Sequence, residues 1–113
     1  MLGDKPPQIL TPKNGAEVSE PYPLLAWTPC DSVHHYRLLV GMDKNFQILL
    51  EDQFTHETCY RVSDSLKVGE TRYWRLSTIS QKAVNGPWSG VHSFKRVAKL
   101  DTPKVDANES SRF

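Results

Sequence analysis

Cysteine is scarce: only Cys30 and Cys59 occur among 113 residues, too few for a disulfide scaffold and too far apart for a zinc knuckle. Long apolar runs are missing too. None exceeds about four residues, which leaves no candidate for a membrane-spanning helix or for the apolar stretch of a secretory signal. An excess of one charge is also absent. Fourteen basic against 13 acidic side chains give a formal net charge of +1, and the basic residues are scattered from Lys5 to Arg112 without a run. No electrostatic footprint for nucleic acid or an acidic membrane is present. A nucleophile elbow, a phosphate-binding loop and paired acids are likewise missing, so no catalytic centre is expected. Glu51, Asp52 and Asp64 read as isolated, solvated carboxylates.

The chain does contain aromatics and turn residues. Three Trp, four Tyr and four Phe are more than a disordered chain of this charge carries, and the length suits one domain. Six of the eight prolines lie within the first 29 residues, which excludes a helix there. Extended segments are predicted at Gln8 to Thr11, Leu24 to Thr28, His35 to Gly41, Phe46 to Phe54, Thr58 to Val62, Thr71 to Ser80 and Val91 to Val97. A helix is the rival reading for Phe46 to Phe54, because Phe46, Leu49, Leu50 and Gln53 stand near helical spacing. Asn14-Gly15 and Asn85-Gly86-Pro87 read as turns.

Alternation within the strands places Leu25, Trp27, Tyr36, Leu38, Val40, Tyr60, Val62, Leu66, Trp74, Leu76 and Phe94 inside, with either Ile9 or Leu10. Seven short strands separated by turn signals predict a two-sheet sandwich. The domain is expected over residues 7–98, flanked by a flexible segment at 1–6 and a flexible tail or linker at 99–113.

In that order, Trp27, Tyr36 and Leu38, the Leu66-x-x-Gly69-x-Thr71 turn, Trp74-Arg75-Leu76, Asn85-Gly86-Pro87-Trp88-Ser89 and Phe94 resemble a fibronectin type III domain. Met42-Asp43-x-x-Phe46 and Tyr73-Trp74-Arg75 are similar to the branch found in bacterial extracellular proteins, often beside polysaccharide-acting or cell-surface modules. The resemblance implies an all-β, seven-stranded immunoglobulin-like sandwich that works as a spacer or an interaction module. It implies an extracellular or cell-surface setting and neighbouring domains of a larger protein as partners. No cofactor, no nucleic acid and no membrane insertion are expected, and the chain is expected to be a monomer. Such domains place a tyrosine two residues before the position held by Trp74. Arg72 stands there instead, so either Tyr73 takes over that role by a one-residue shift or the corner is absent.

Trp88-Ser89-Gly90-Val91-His92 partly resembles the tryptophan-serine signature of cytokine-receptor modules, in which an indole stacks on arginines of the neighbouring strand. That parallel predicts a stack of Trp88 on Arg75, with Arg37 alongside. It marks Arg37, Tyr73, Arg75 and Trp88 as the candidate face for a protein or glycan. In this fold the end of the second strand lies near the start of the fifth, so a disulfide between Cys30 and Cys59 is one reading and two thiols the other. His34, His35, His56 and His92 are read as surface or loop histidines rather than metal ligands, because neighbours on a strand point to opposite faces. Asn108-Glu109-Ser110 is a formal glycosylation sequon.

Overall fold

The structure is a computed structural model that describes residues 6–30 and 33–98. The tail sequon, residues 1–5 of the expected N-terminal segment 1–6 and the expected tail 99–113 lie outside the described residues. Strands are β1 (Ile9–Thr11), β2 (Ala16–Val18), β3 (Leu24–Trp27), β4 (His35–Gly41), β5 (Leu49–Thr55), β6 (Cys59–Arg61), β7 (Thr71–Ile79), β8 (Asn85–Trp88) and β9 (His92–Arg96). They form a three-stranded sheet, β1-β3-β6, and a six-stranded sheet, β2-β9-β7-β4-β5, in which β8 also pairs with β7. Every pairing is antiparallel except β2 with β9.

Two of these strands, β2 and β8, occupy or adjoin segments that sequence signals mark as turns. After Pro12 the chain leaves the small sheet. Gly15, at φ 82, turns it onto the edge of the large one, where the Ser93 amide donates to Asn14 Oδ1 at 2.9 Å. That crossing creates β2. Asn85 to Trp88 is extended because Gly86 lies flat against β7, where any Cβ would collide with Thr78 Oγ1. The strand predicted from Phe46 starts only at Leu49. Asp43 holds the preceding residues in a turn by accepting from the amides of Asn45, Gln47 and Ile48 at 3.1, 3.3 and 3.1 Å.

The core follows the alternation. Ile9, Leu25, Trp27, Tyr36, Leu38, Val40, Val62, Leu66, Trp74, Leu76 and Phe94 form one buried cluster, and Ile9 rather than Leu10 is the inward residue of β1. Trp27 from the small sheet meets Trp74 from the large one at 6.4 Å between ring centroids, and Tyr36 stands edge-on to Trp27 at 5.6 Å. Tyr60 is half-buried rather than core, because its hydroxyl reaches out to donate to Glu51 Oε1 at 2.6 Å.

Glu51 is itself buried, contrary to the solvated reading. It accepts from the Ser63 amide and hydroxyl and from the Asp64 amide, and so ties edge strand β5 of one sheet to the exit of β6 in the other. Asp52 and Asp64 are also partnered, by Arg37 and Arg72.

The corner before β7 is held by an arginine. Arg72 has the same inward parity as Trp74 and Leu76. Its Nη2 donates to Glu70 Oε1 at 3.1 Å and to the Ser65 carbonyl at 3.4 Å, with Asp64 at 3.5 Å. Tyr73 faces the opposite side of the sheet, so the register does not shift. The side chain that pins this corner is Arg72.

The first strand begins and the last strand ends at opposite poles of the sandwich. Ile9 pairs with Trp27 at the end of β3, on the side where β4 begins beside the last residue of β7, His35 opposite Ile79. By contrast, β9 runs out where β7 begins, with Lys95 opposite Thr71 and the Arg96 carbonyl accepting from Gly69.

Removing the corner should be costly. Arg72→Ala should destabilise the domain by about 2 kcal/mol, leaving carbonyl and carboxylate groups without their donor. Arg72→Tyr should lose less, since a phenol can still donate to the Ser65 carbonyl. Urea midpoints of the two variants check this, and equal losses would show that the corner bonds are not what stabilises the turn.

Candidate functional site

The outer face of the large sheet is built by the residues that alternate with the core. Because Leu38, Val40, Trp74 and Leu76 point inward, Arg37, Leu39, Tyr73, Arg75 and Ser77 point out. Cross-strand register then sets Arg37 beside Phe54 of β5 and Ser77 beside Trp88 of β8. The result is an alternating row of rings and cations. The Arg37 guanidinium carbon lies 5.5 Å from the Phe54 ring and 6.0 Å from the Trp88 ring. The Arg75 guanidinium carbon lies 4.6 Å from Trp88 and 4.9 Å from Phe46. Each such contact contributes about 0.5–1 kcal/mol when exposed. The expected stack of Trp88 on Arg75 is therefore present, with Arg37 as the second cation.

Local chemistry places each member. Trp88 is set by Ser89, whose amide donates to the Leu76 carbonyl at 2.8 Å and whose hydroxyl accepts from the Leu76 amide at 3.1 Å. These bonds bridge the break between β8 and β9, so the Trp-Ser pair works as a unit. Phe46 adopts φ 56, which swings its ring back over Gly41. A Cβ at Gly41 would stand 2.9 Å from Phe46 Cδ1 and 3.2 Å from the Ile48 carbonyl oxygen, so that position has room only for hydrogen.

The two arginines differ in their charge partners. Arg37 donates through Nε and Nη2 to both oxygens of Asp52, at 2.9 and 2.7 Å. Those bonds hold the Asp52 carboxyl below the ordinary aspartate range against a smaller opposing effect of burial, and raise Arg37. The pair's contribution is full at neutral pH and fades as acid titrates Asp52 through that lowered value. With both side chains about one-third exposed, it is worth no more than about 1 kcal/mol. Arg75 has no carboxylate partner among the described residues, and its Nε is buried without an acceptor. Tyr73 shares the face but makes no ring contact with the row.

Phe46, Phe54 and Asp52 also belong to this surface, whereas the face expected from the sequence comprised Arg37, Tyr73, Arg75 and Trp88. The register of the β4–β5 hairpin was the signal for Phe54 and Asp52. The positive φ that brings in Phe46 has no such signal.

Cys59 is exposed at the register position opposite Ala26, four residues before Cys30, whereas Cys30 packs against the core cluster. A disulfide between them requires Cα atoms within about 7 Å and Cβ vectors that face.

The histidines do not diverge as strand parity predicts, because His34 precedes β4. His34, His35 and His56 gather with ring centroids 5.0, 5.2 and 5.5 Å apart, while His92 lies elsewhere, beside Trp74. Among the described residues, no three histidine, cysteine or acidic side chains are arranged to hold a metal ion.

Two outcomes follow from this geometry. Gly41→Ala should cost about 1–3 kcal/mol by displacing Phe46, whereas a double-mutant cycle between Arg75→Ala and Trp88→Ala should give about 0.5–1 kcal/mol of coupling in urea denaturation. Maleimide labelling of the native protein without reductant decides between the two readings of the cysteines: thiols label at exposed Cys59 directly, whereas a disulfide leaves Cys59 unreactive until it is reduced.

No protein-family model matches the chain, and no curated protein does. Solved structures do. An Fn3-like protein from Clostridium thermocellum aligns with a TM-score of 0.59 at 15% identity, over 91% of this chain and 100% of that one. The fibronectin type-III domain of human fibronectin type III domain containing protein 3 aligns at 0.61 and 15%, over 90% and 94%. An α-L-rhamnosidase from Dictyoglumus thermophilum aligns at 0.64 and 15%, over 86% of this chain, which spans only 13% of that enzyme's length. At this low identity the likeness is one of fold, and the chain has the fibronectin type III fold.

Proposed function

We propose that this domain is a non-catalytic module of a larger extracellular or cell-surface protein, where it serves as a stiff spacer between neighbouring domains. The observation that carries this reading is that β1 begins and β9 ends at opposite poles of a sandwich closed by one core. A domain inserted this way separates its neighbours by roughly the length of β7, about 30 Å for nine residues at 3.3 Å each. The fold also occurs within longer chains, as the 13% coverage of the rhamnosidase illustrates. No helix among the described residues is long and apolar enough to cross a membrane.

A second reading has its own support. Arg75, sandwiched between Trp88 and Phe46 without an acidic partner among the described residues, leaves an in-plane guanidinium edge for an incoming acceptor. With Arg37, Tyr73 and Trp88 it would make this face the binding surface of a protein- or glycan-recognition module.

Spin labels on two domains fused to the ends test the spacer. A narrow distance distribution is expected, unlike the broad one of a flexible Gly/Ser linker with the same number of residues. A distribution as broad as the linker's would defeat the proposal. Under the second reading, Arg75→Ala would abolish ligand binding while leaving those distances unchanged.

A further inference from the structure

The three imidazoles at the pole where the chain enters form a cluster with a definite capacity for protons. His34 Nδ1 and His35 Nδ1 are 2.8 Å apart. At that separation one nitrogen donates a hydrogen and the other accepts it, so the pair holds one shared proton. If both nitrogens carried hydrogen, two N–H groups would point at each other. His56 closes the group: its Nδ1 is 3.0 Å from the His34 carbonyl and donates to it. That bond joins the connection between β3 and β4 to the turn between β5 and β6. The His34 amide donates in turn to the Ile79 carbonyl at 2.9 Å, which fastens the same residue to the end of β7.

Among the described residues, nothing around the cluster is placed to absorb added positive charge. On β4, the next outward residue is Arg37, a cation already committed to Asp52. From β5, Phe54 packs its ring 5.5 Å from His35 and carries Arg37 on it. In the turn before β6, Glu57 follows His56, with its amide bonded to Thr55 Oγ1. From β7, the residue opposite His35 is Ile79, with Lys82 in the loop beyond. Among the described residues, no carboxylate stands within ion-pair distance of the three rings.

We propose that His34, His35 and His56 form an acid-labile clasp that keeps the two loops of this pole together at neutral pH and releases them when the cluster charges. In support, His35 takes up protons less readily than an ordinary histidine, through loss of hydration and then through the neighbouring His34 and His56. A group that binds protons more weakly in the folded than in the unfolded chain leaves stability intact above the ordinary histidine range. Stability then falls as pH drops through that range.

The spacer reading is not needed for this clasp, although it would make the junction with a preceding domain sensitive to acid.

The test follows the histidine Cε1 resonances of the intact chain from pH 8 to pH 5. A His35 midpoint below that of an ordinary histidine is expected. Amides of residues 33–34 and 56–58 should exchange about tenfold faster at pH 5 than at pH 7.5 after correction for intrinsic rates. The Tm should fall by about 4 °C or more over the same interval, and most of that fall should vanish in the His34→Gln, His35→Gln, His56→Gln variant. A His35 midpoint at or above that of an ordinary histidine would overturn the clasp. So would an unchanged pH dependence in a folded triple variant. If the variant does not fold, the resonance titration of the unaltered chain decides alone.

Discussion

The contact between Trp27 and Trp74 is the point at which the two sheets become one domain. Each indole is almost wholly buried, and each comes from the middle strand of its own sheet's pairing path, β3 between β1 and β6, β7 between β9 and β4. Neither ring is held by its polar end, since both indole N–H groups are buried without an acceptor among the described residues. An unmade bond of this kind costs about 1–3 kcal/mol. Burial of the ring bodies and the edge-on packing of Tyr36 must outweigh it. The position of every outward residue is a consequence: once Trp74 and Leu76 are committed to the interior, Tyr73, Arg75 and Ser77 have no alternative but the other side.

That same commitment explains why the outer face is ordered at all. An exposed arginine is normally mobile, yet Arg37 and Arg75 are each confined between two rings, and Arg37 has a carboxylate as well. The order depends on backbone devices that differ at each end of the row. Ser89 supplies ladder bonds where the strand is broken, and Asp43 bends the chain so that Phe46 can fold back. The face is thus a product of turns as much as of strands.

Sequence signals were sufficient where periodicity governs structure. The alternation in His35 to Gly41 and Thr71 to Ser80 is long enough to determine the core and the outward parity of Arg37 and Arg75, while the stack of Trp88 on Arg75 was implied by the resemblance to the tryptophan-serine signature. It failed where a side chain replaces a backbone partner. Nothing local reveals that Asn14 holds Ser93, that Glu51 crosses between sheets, or that Arg72 reaches the Ser65 carbonyl, because each depends on a contact made only after the sheets have closed. The parity rule also misled for His34, which stands one residue outside the strand to which the rule applies. Asn85-Gly86-Pro87 carries strong turn residues yet is extended, because close packing on Thr78 selects Gly86 for its lack of a Cβ rather than for its turn-forming habit.

The inward carboxylate of Glu51 has a consequence for the crowding of many such domains. β5 is the outermost strand of the large sheet, with a row of main-chain donors and acceptors open to any other extended peptide. Letting β5 slip by one residue would turn Glu51 to the outer face and leave the Tyr60 and Ser63 hydroxyls and the Ser63 and Asp64 amides without their acceptor. The bonds that seal the open side of the sandwich thereby act as a guard against fibrous self-association, one that would matter most where copies are tethered at high local concentration.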